Sequence, residues 1–384
     1  MIHVARRRIG AVAAVIAALG SLLAATPPAT AALEAPRPPL LQTTSRPLTS
    51  PPAVTAAAWA LVDARSGQVL DGVGLDEPRP VASTVKLLTA LTVTERASLT
   101  DAVVVSEAVR DVGGAGTSVD PGESWTVQQL LEALLVRSGN DAATALAVHV
   151  GGSLEGFVEL MRQDAAILGL DPILTTPTGL DDRNRLTARD LAVIARTFLA
   201  DDGLRAIAAR RTVRLPDIGT VPSRNLLLDQ YPDATGLKTG FTTASGYSLV
   251  GSAERDGRTL IAVVLGAAGE QERFDDAGAL LDWGFAWFEE VRVSRSVRLR
   301  EGGRWVTVGS DPAWVTVPTG TEVHVDWTLP RRADAAGPVE VRIPRTEPIL
   351  LDVRAAEPPR SPTIATWLRD RVHEALRTAA ARGT

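Results

Sequence analysis

The chain has 384 residues, 45% of them hydrophobic and 22% charged, with a net charge of −5 and no cysteine. Such a length allows two domains with real cores, and the mild acidity argues against a nucleic-acid partner, which needs a basic face. The lack of cysteine excludes disulfides and thiolate metal sites, and four scattered histidines argue against zinc, so neither metal nor cofactor is expected.

In chain order, Arg6, Arg7 and Arg8 precede an apolar run from Ile9 to Ala25 and a small-residue segment ending Ala29-Thr30-Ala31. Residues 1–31 therefore read as a secretory signal. The alternative is an uncleaved anchor, for which the apolar run is short. The segment carries three arginines and no acid, so its removal takes the net charge from −5 to −8. An exported protein is expected, working at the cell wall or on the outer face of the cytoplasmic membrane. Residues 32–54, rich in Pro, Ser and Thr, read as a linker.

A larger domain is expected over residues 55–290. Strands are predicted at Ala57–Val62 and Gln68–Leu70, followed by helices beginning near Ser83, Thr126, Asp141, Leu154 and Thr187, the last with a Thr187-x-x-Asp190 capping box. Strand signals return near Val213 and at Thr235–Thr242. A hairpin is predicted from Tyr247–Ala253 and Thr259–Gly266, then a helix over Phe274–Phe288. Strands at both ends with helices between imply an α+β fold, one sheet closed by its terminal strands against a helical cluster. Residues 291–357 alternate apolar and polar over short runs and read as a small antiparallel β domain, with Trp305, Trp314 and Trp327 as its core. The tail, 358–384, places Ile364, Trp367, Leu368, Val372 and Leu376 at helical spacing. This amphipathic helix either lies on a membrane surface, as Arg369, Arg371 and Arg377 favour and Asp370 and Glu374 oppose, or packs on the β domain.

Of 40 basic residues only two are lysine, Lys86 and Lys238. Ser83-Thr84-Val85-Lys86 opens an apolar helical run, where positions i and i+3 share a face. A serine needs a base to become a nucleophile, and a buried lysine can serve because burial lowers its pKa, whereas arginine stays protonated. The helix N-terminus also offers N–H groups to an oxyanion. A Ser–His–Asp triad is disfavoured by elimination: His3 lies in the signal, His324 in the β domain, His373 in the tail, and His149 within a helical pattern that suits a core or surface filler.

Two more clusters sharpen this reading. Ser138-Gly139-Asn140 lies 55 residues after Ser83, and Lys238-Thr239-Gly240 lies 100 residues beyond that on a predicted strand. With the S-x-x-K tetrapeptide they resemble the penicillin-binding serine D-alanyl-D-alanine carboxypeptidases of peptidase S11 type, and the likeness extends over roughly 57–290. Arg79-Pro80-Val81-Ala82-Ser83, Gly122-Glu123-Ser124-Trp125-Thr126, Thr187-Ala188-Arg189-Asp190-Leu191 and Gly246-Tyr247 share it, in the same order.

The resemblance implies a β-lactamase/transpeptidase-like fold that acts on peptidoglycan stem peptides ending in D-Ala-D-Ala and is acylated by β-lactam antibiotics. It implies Ser83 as the acylated nucleophile, Lys86 as its base and Ser138 as a proton relay to the leaving amine. Asn140 is expected on the substrate amide, Lys238 and Thr239 on the substrate's terminal carboxylate, and Thr242 as a further substrate-binding residue. Gly240 is expected to let the strand approach the substrate, and the N–H groups of Ser83 and Phe241 to form the oxyanion hole. Family members often carry His where this chain has Phe241, which points to altered specificity. Arg273 is either a second carboxylate-binding arginine or a surface residue.

The rival functions are a serine β-lactamase of the same fold and a catalytically idle wall-binding protein whose β domain does the work. Class A β-lactamases use a glutamate between the second and third motifs to activate the deacylating water. Between Asn140 and Lys238 this chain has only Glu155 and Glu159, both at the start of a predicted helix, while Asp181 and Asp182 read as a solvated loop. The intact motifs argue against idleness.

Overall fold

The computed structural model describes residues 50–293, apart from Asp111 and Asp217, together with 296–301, 304–310, 313–320, 338–341 and 349–355. The expected signal at 1–31, all but the end of the linker at 32–54, and the tail at 358–384 lie outside the described residues.

The chain enters β1 (Ala58–Asp63) and β2 (Val69–Val73), then a helical cluster: α1 (Lys86–Thr94), α2 (Val127–Val136), α3 (Asn140–Gly151), α4 (Leu154–Ile167), α5 (Ala188–Ala200) and α6 (Asp202–Ala208). After the single turn α7 (Leu227–Gln230) it returns through β3 (Ala234–Thr242), β4 (Gly246–Arg255) and β5 (Arg258–Ala267), and closes with α8 (Glu272–Trp287). The five strands form one antiparallel sheet in the order β2-β1-β5-β4-β3. The first strand thus pairs with the last, as the sequence suggests, and β3 is left as an edge.

Every residue of β1 is buried, because helices cover both sheet faces. The period-2 alternation of a strand splits the side chains between two cores. Ala58, Ala60 and Val62 join Ile261, Val263 and Leu265 against the helical cluster, while Trp59 and Leu61 join Leu260, Ala262 and Val264 against Phe274, Leu280 and Leu281 of α8. Helix α1 has no polar face because α2, α3, α4 and α5 all pack around it. The Thr187/Asp190 capping box forms as predicted, and Thr126/Gln129 makes a second one at α2. Helix α6, set directly on the end of α5, has too few apolar repeats to be read from sequence.

Beyond the main sheet, β6 (Phe288–Val293) follows α8 without a linker, since Phe288 packs edge-on against Trp283 at 5.1 Å. It pairs antiparallel with β9 (Ala313–Pro318); β7 (Ser296–Glu301) pairs with β8 (Arg304–Ser310), which continues through β11 (Ile349–Ala355) to β10 (Pro338–Val341). The strand expected around His324 and Trp327 lies outside the described residues. Arg65 joins this region to the main sheet, meeting Glu290 at 3.1 Å and the Trp314 ring at 4.7 Å.

The carboxylate of Asp276 on α8 accepts from the Thr55 hydroxyl (2.8 Å) and from the N–H groups of Thr55 and Ala56, both at 3.0 Å. Asp276→Ala strands those donors at the sheet entrance. The expected cost is about 2 kcal/mol, a drop of roughly 4–8 °C in Tm for a domain of this size. Thermal unfolding of wild type and variant checks it, and an unchanged Tm would remove Asp276 as an anchor.

Candidate active site

Ser83 sits in a 3₁₀ turn, Ala82–Val85, that runs into α1, with Ala82 ahead of it at φ +48°. The sequence suggests an ordinary helix start; the observed turn is tighter. Three residues per turn nearly eclipse positions i and i+3, which brings Lys86 over Ser83. The Lys86 Nζ lies 2.8 Å from Ser83 Oγ, 2.6 Å from Asn140 Oδ1 and 2.7 Å from the Thr178 carbonyl. Its side chain is 0% exposed, and burial lowers its pKa to about 7, with nearby Arg224 pushing the same way and Asp141 opposing. At neutral pH a large fraction of this amine is therefore unprotonated and able to accept a proton.

The second motif lies between α2 and α3. Ser138 is buried with φ +64°, a conformation costly for a non-glycine residue. Gly139 is required next, since a Cβ there would lie 2.6 Å from Thr117 Oγ1. Asn140 donates to the Gly113 carbonyl at 2.8 Å while its Oδ1 accepts from Lys86. Lys86 thus bonds Asn140 rather than Ser138. The buried Asp141 braces this loop by accepting from the Thr117 hydroxyl at 2.8 Å and the Val119 N–H at 3.3 Å.

The third motif occupies edge strand β3. Alternation turns Lys238, Gly240 and Thr242 to one face and Thr239 and Phe241 to the other. A Cβ on Gly240 would lie 2.9 Å from the Val81 carbonyl and 3.1 Å from both the Ser83 and Thr84 nitrogens. This glycine lets the strand approach the nucleophile's own turn, a closer constraint than the approach to substrate that the sequence suggests. Lys238 is 1% exposed and donates to the Thr239 carbonyl at 2.8 Å. Burial holds its amine well below the usual range, reinforced by Lys86, Arg224 and Arg273. With Arg224 and Arg273 beside it, this part of the site favours an anion. Arg273 is 4% exposed, which removes the surface alternative; it reaches the Gly240 carbonyl at 3.3 Å and Glu270 at 3.0 Å, and its Nε has no partner among the described residues. Phe241 is 52% exposed and stacks on Tyr247, its cross-strand partner, at 4.4 Å.

The 175–184 loop is the part of the site that sequence reasoning missed. Its Thr178 carbonyl contacts Lys86, and a Cβ on Gly179, which has φ +78°, would overlap the Ala82 carbonyl at 1.9 Å. Asn184 staples the loop, accepting from the Thr175 N–H (2.6 Å) and hydroxyl (3.0 Å) and donating to the Thr176 carbonyl at 3.0 Å. The rarity of asparagine, with only three in the chain, is the sequence signal that points there. Asp181 pairs with Arg183 at 2.6 Å and titrates at about 2 because of it; Asp182 accepts from Thr242 Oγ1, also at 2.6 Å. Arg224 was missed too, with no motif to mark it. His149 proves exposed on the last turn of α3, far from a core role. Among the described residues no cluster of His, Cys, Asp and Glu is arranged to hold a metal.

A family model described as peptidase S11, D-alanyl-D-alanine carboxypeptidase, matches residues 45–269. The chain is 39% identical over 248 residues to the D-alanyl-D-alanine carboxypeptidase DacB2 of Mycobacterium tuberculosis, covering 62% of this chain and 85% of that protein. It is 38% identical over 255 residues to DacC of Escherichia coli, where the match covers 62% of this chain but only 64% of the relative. Among solved structures it resembles a D-alanyl-D-alanine carboxypeptidase from M. tuberculosis (TM-score 0.60, 36% identity, 63% of this chain and 95% of that one). It also resembles penicillin binding protein 5 from Haemophilus influenzae (TM-score 0.68, 28% identity, 80% and 99%).

With only two lysines, the amine titration can be read directly. Lysine-selective ¹⁵N labelling is expected to show a Lys86 Nζ signal with a midpoint near pH 7. A midpoint near the ordinary lysine value of about 10.4 would mean that the amine is not desolvated.

Proposed function

The chain belongs to the peptidase S11 family of D-alanyl-D-alanine carboxypeptidases, and we propose that it removes the terminal D-alanine of peptidoglycan stem peptides through an acyl-enzyme on Ser83. Lys86 Nζ takes the proton as Ser83 Oγ bonds to the carbonyl carbon of the penultimate D-alanine. The N–H groups of Ser83 and Phe241 receive the oxyanion. As the amide C–N bond breaks, the proton passes by way of Ser138 to the leaving amine, and D-alanine departs. Water then attacks the ester and frees Ser83. Asn140 holds the acyl-side amide, Lys238, Thr239 and Arg273 receive the terminal carboxylate, and Thr242 lies further along the bound substrate. The observation that carries this reading is the buried Lys86 amine, 2.8 Å from Ser83 Oγ and lowered to about 7. The convergence of Lys238, Arg224 and Arg273 supports a substrate ending in a carboxylate.

A β-lactam presents the same acyl donor in a ring, so we also assign Ser83 as the site of acylation by penicillins. Hydrolysis of that adduct is slow in this reading. Glu155 and Glu159 lie exposed on α4, Asp181 is held by Arg183, and Asp182 is held by Thr242. None is free beside Ser83 to activate water, which disfavours the β-lactamase alternative. The secretory pattern of residues 1–31 supports action at the cell wall or the outer face of the cytoplasmic membrane, and the intact motifs disfavour an idle binding protein.

Intact mass spectrometry after penicillin is expected to give one adduct, absent in Ser83→Ala; an adduct elsewhere would overturn the assignment. Acylation should rise with pH through about 7 and then level, because the base works in its neutral form. Lys86→Arg should slow it by about 10²–10⁴-fold. The same preparation should release D-alanine over many turnovers while the penicilloyl adduct persists. Rapid penicillin hydrolysis without D-alanine release would favour the β-lactamase.

A further inference from the structure

The path of a substrate follows from β3. If the terminal carboxylate sits at Lys238 and Thr239 and the scissile carbonyl at Ser83, opposite Gly240, then the residues before the scissile bond run toward Thr242. Gly240 and Thr242 are two strand positions apart, about 7 Å. In an extended peptide the residue that precedes D-Ala-D-Ala lies one step of about 3.4 Å before the penultimate D-alanine, and its side chain spans the remainder.

At that level the 175–184 loop presents two side chains. Leu180 is 40% exposed and lies beside the Asn140 amide: the point where a Cβ on Gly114 would sit is 2.9 Å from Leu180 Cδ2 and 2.7 Å from Asn140 Nδ2. Two residues on, Asp182 is fixed over β3 by the Thr242 hydroxyl, which donates to one carboxylate oxygen at 2.6 Å. The neighbouring Asp181 is neutralised by Arg183 at 2.6 Å. Asp182 has no cationic partner, and its second oxygen no hydrogen-bond donor, among the described residues. An apolar group followed by an unbalanced, anchored carboxylate suits an aliphatic chain that ends in an amine.

We propose that Asp182 is a specificity-determining residue that pairs with a free amine on the side chain of the residue preceding D-Ala-D-Ala, whose aliphatic stem lies along Leu180. This rests on the carboxypeptidase reading above. Its consequence is a preference for stem peptides whose side-chain amine has not been acylated.

The test compares release of D-alanine from Nα-acetyl-L-lysyl-D-alanyl-D-alanine and from its Nα,Nε-diacetyl counterpart. The free amine should give a kcat/KM about three- to fivefold higher, as expected for a partly exposed ion pair, and the gap should narrow in about 0.5 M NaCl. Asp182→Asn should abolish the preference while leaving turnover of the diacetyl peptide within about twofold, and Asp182→Glu should keep it. Equal rates for the two peptides in wild type overturn the proposal without any variant, as does an undiminished preference in Asp182→Asn. Release from neither peptide, with Ser83 still taking penicillin, would instead bring down the carboxypeptidase reading and this proposal with it.

Discussion

The site is organised around one buried amine. Taking Lys86 out of water removes its hydration, so its hydrogens must find acceptors inside the protein. Three oxygens surround it, one from its own turn and two from segments remote in sequence: Ser83 Oγ, Asn140 Oδ1 at the start of α3, and the Thr178 carbonyl on a loop 92 residues away. The same three contacts that satisfy the amine hold Ser83, the second motif and the loop in register. Desolvation also leaves much of the amine unprotonated near neutral pH, so packing and the capacity to accept a proton have one cause.

The remaining constraints follow from bringing an edge strand against that centre. Gly240 lets β3 close on the Ser83 turn, and Gly179 does the same for the loop on the other side. The two glycines set the spacing between three backbone segments, and no larger residue fits at either. The strand brings Lys238 with it, fully buried in a neighbourhood of other cations. An anion placed among them would offset that charge.

The family's three motifs were legible because each packs its chemistry into a few consecutive residues, and the sheet because strand alternation and turn residues are local signals. Closure of the sheet by β1 against β5 also followed from where the strand signals fell. The 3₁₀ geometry at Ser83 was not legible, since Ala82–Val85 carries no propensity that separates it from an α-helical start. Nor was the Thr178 loop, which takes part through a backbone carbonyl that any residue would supply. Arg224 and Arg273 show the limit from the other side. In a chain with 38 arginines, nothing local in sequence separates the exposed Arg224 or the buried Arg273 from the rest, since their nearness to Lys238 is a property of the fold.

The two lysines have a further consequence for anyone handling the protein. Both are sealed inside, so the folded surface offers no side-chain amine to acylating dyes, aldehyde crosslinkers or lysine-directed proteases. Such reagents are left with the α-amino group alone, and cleavage after Lys86 or Lys238 requires the core to open first. A lysine-specific protease therefore reports the opening of this domain from its centre, with no background from its surface.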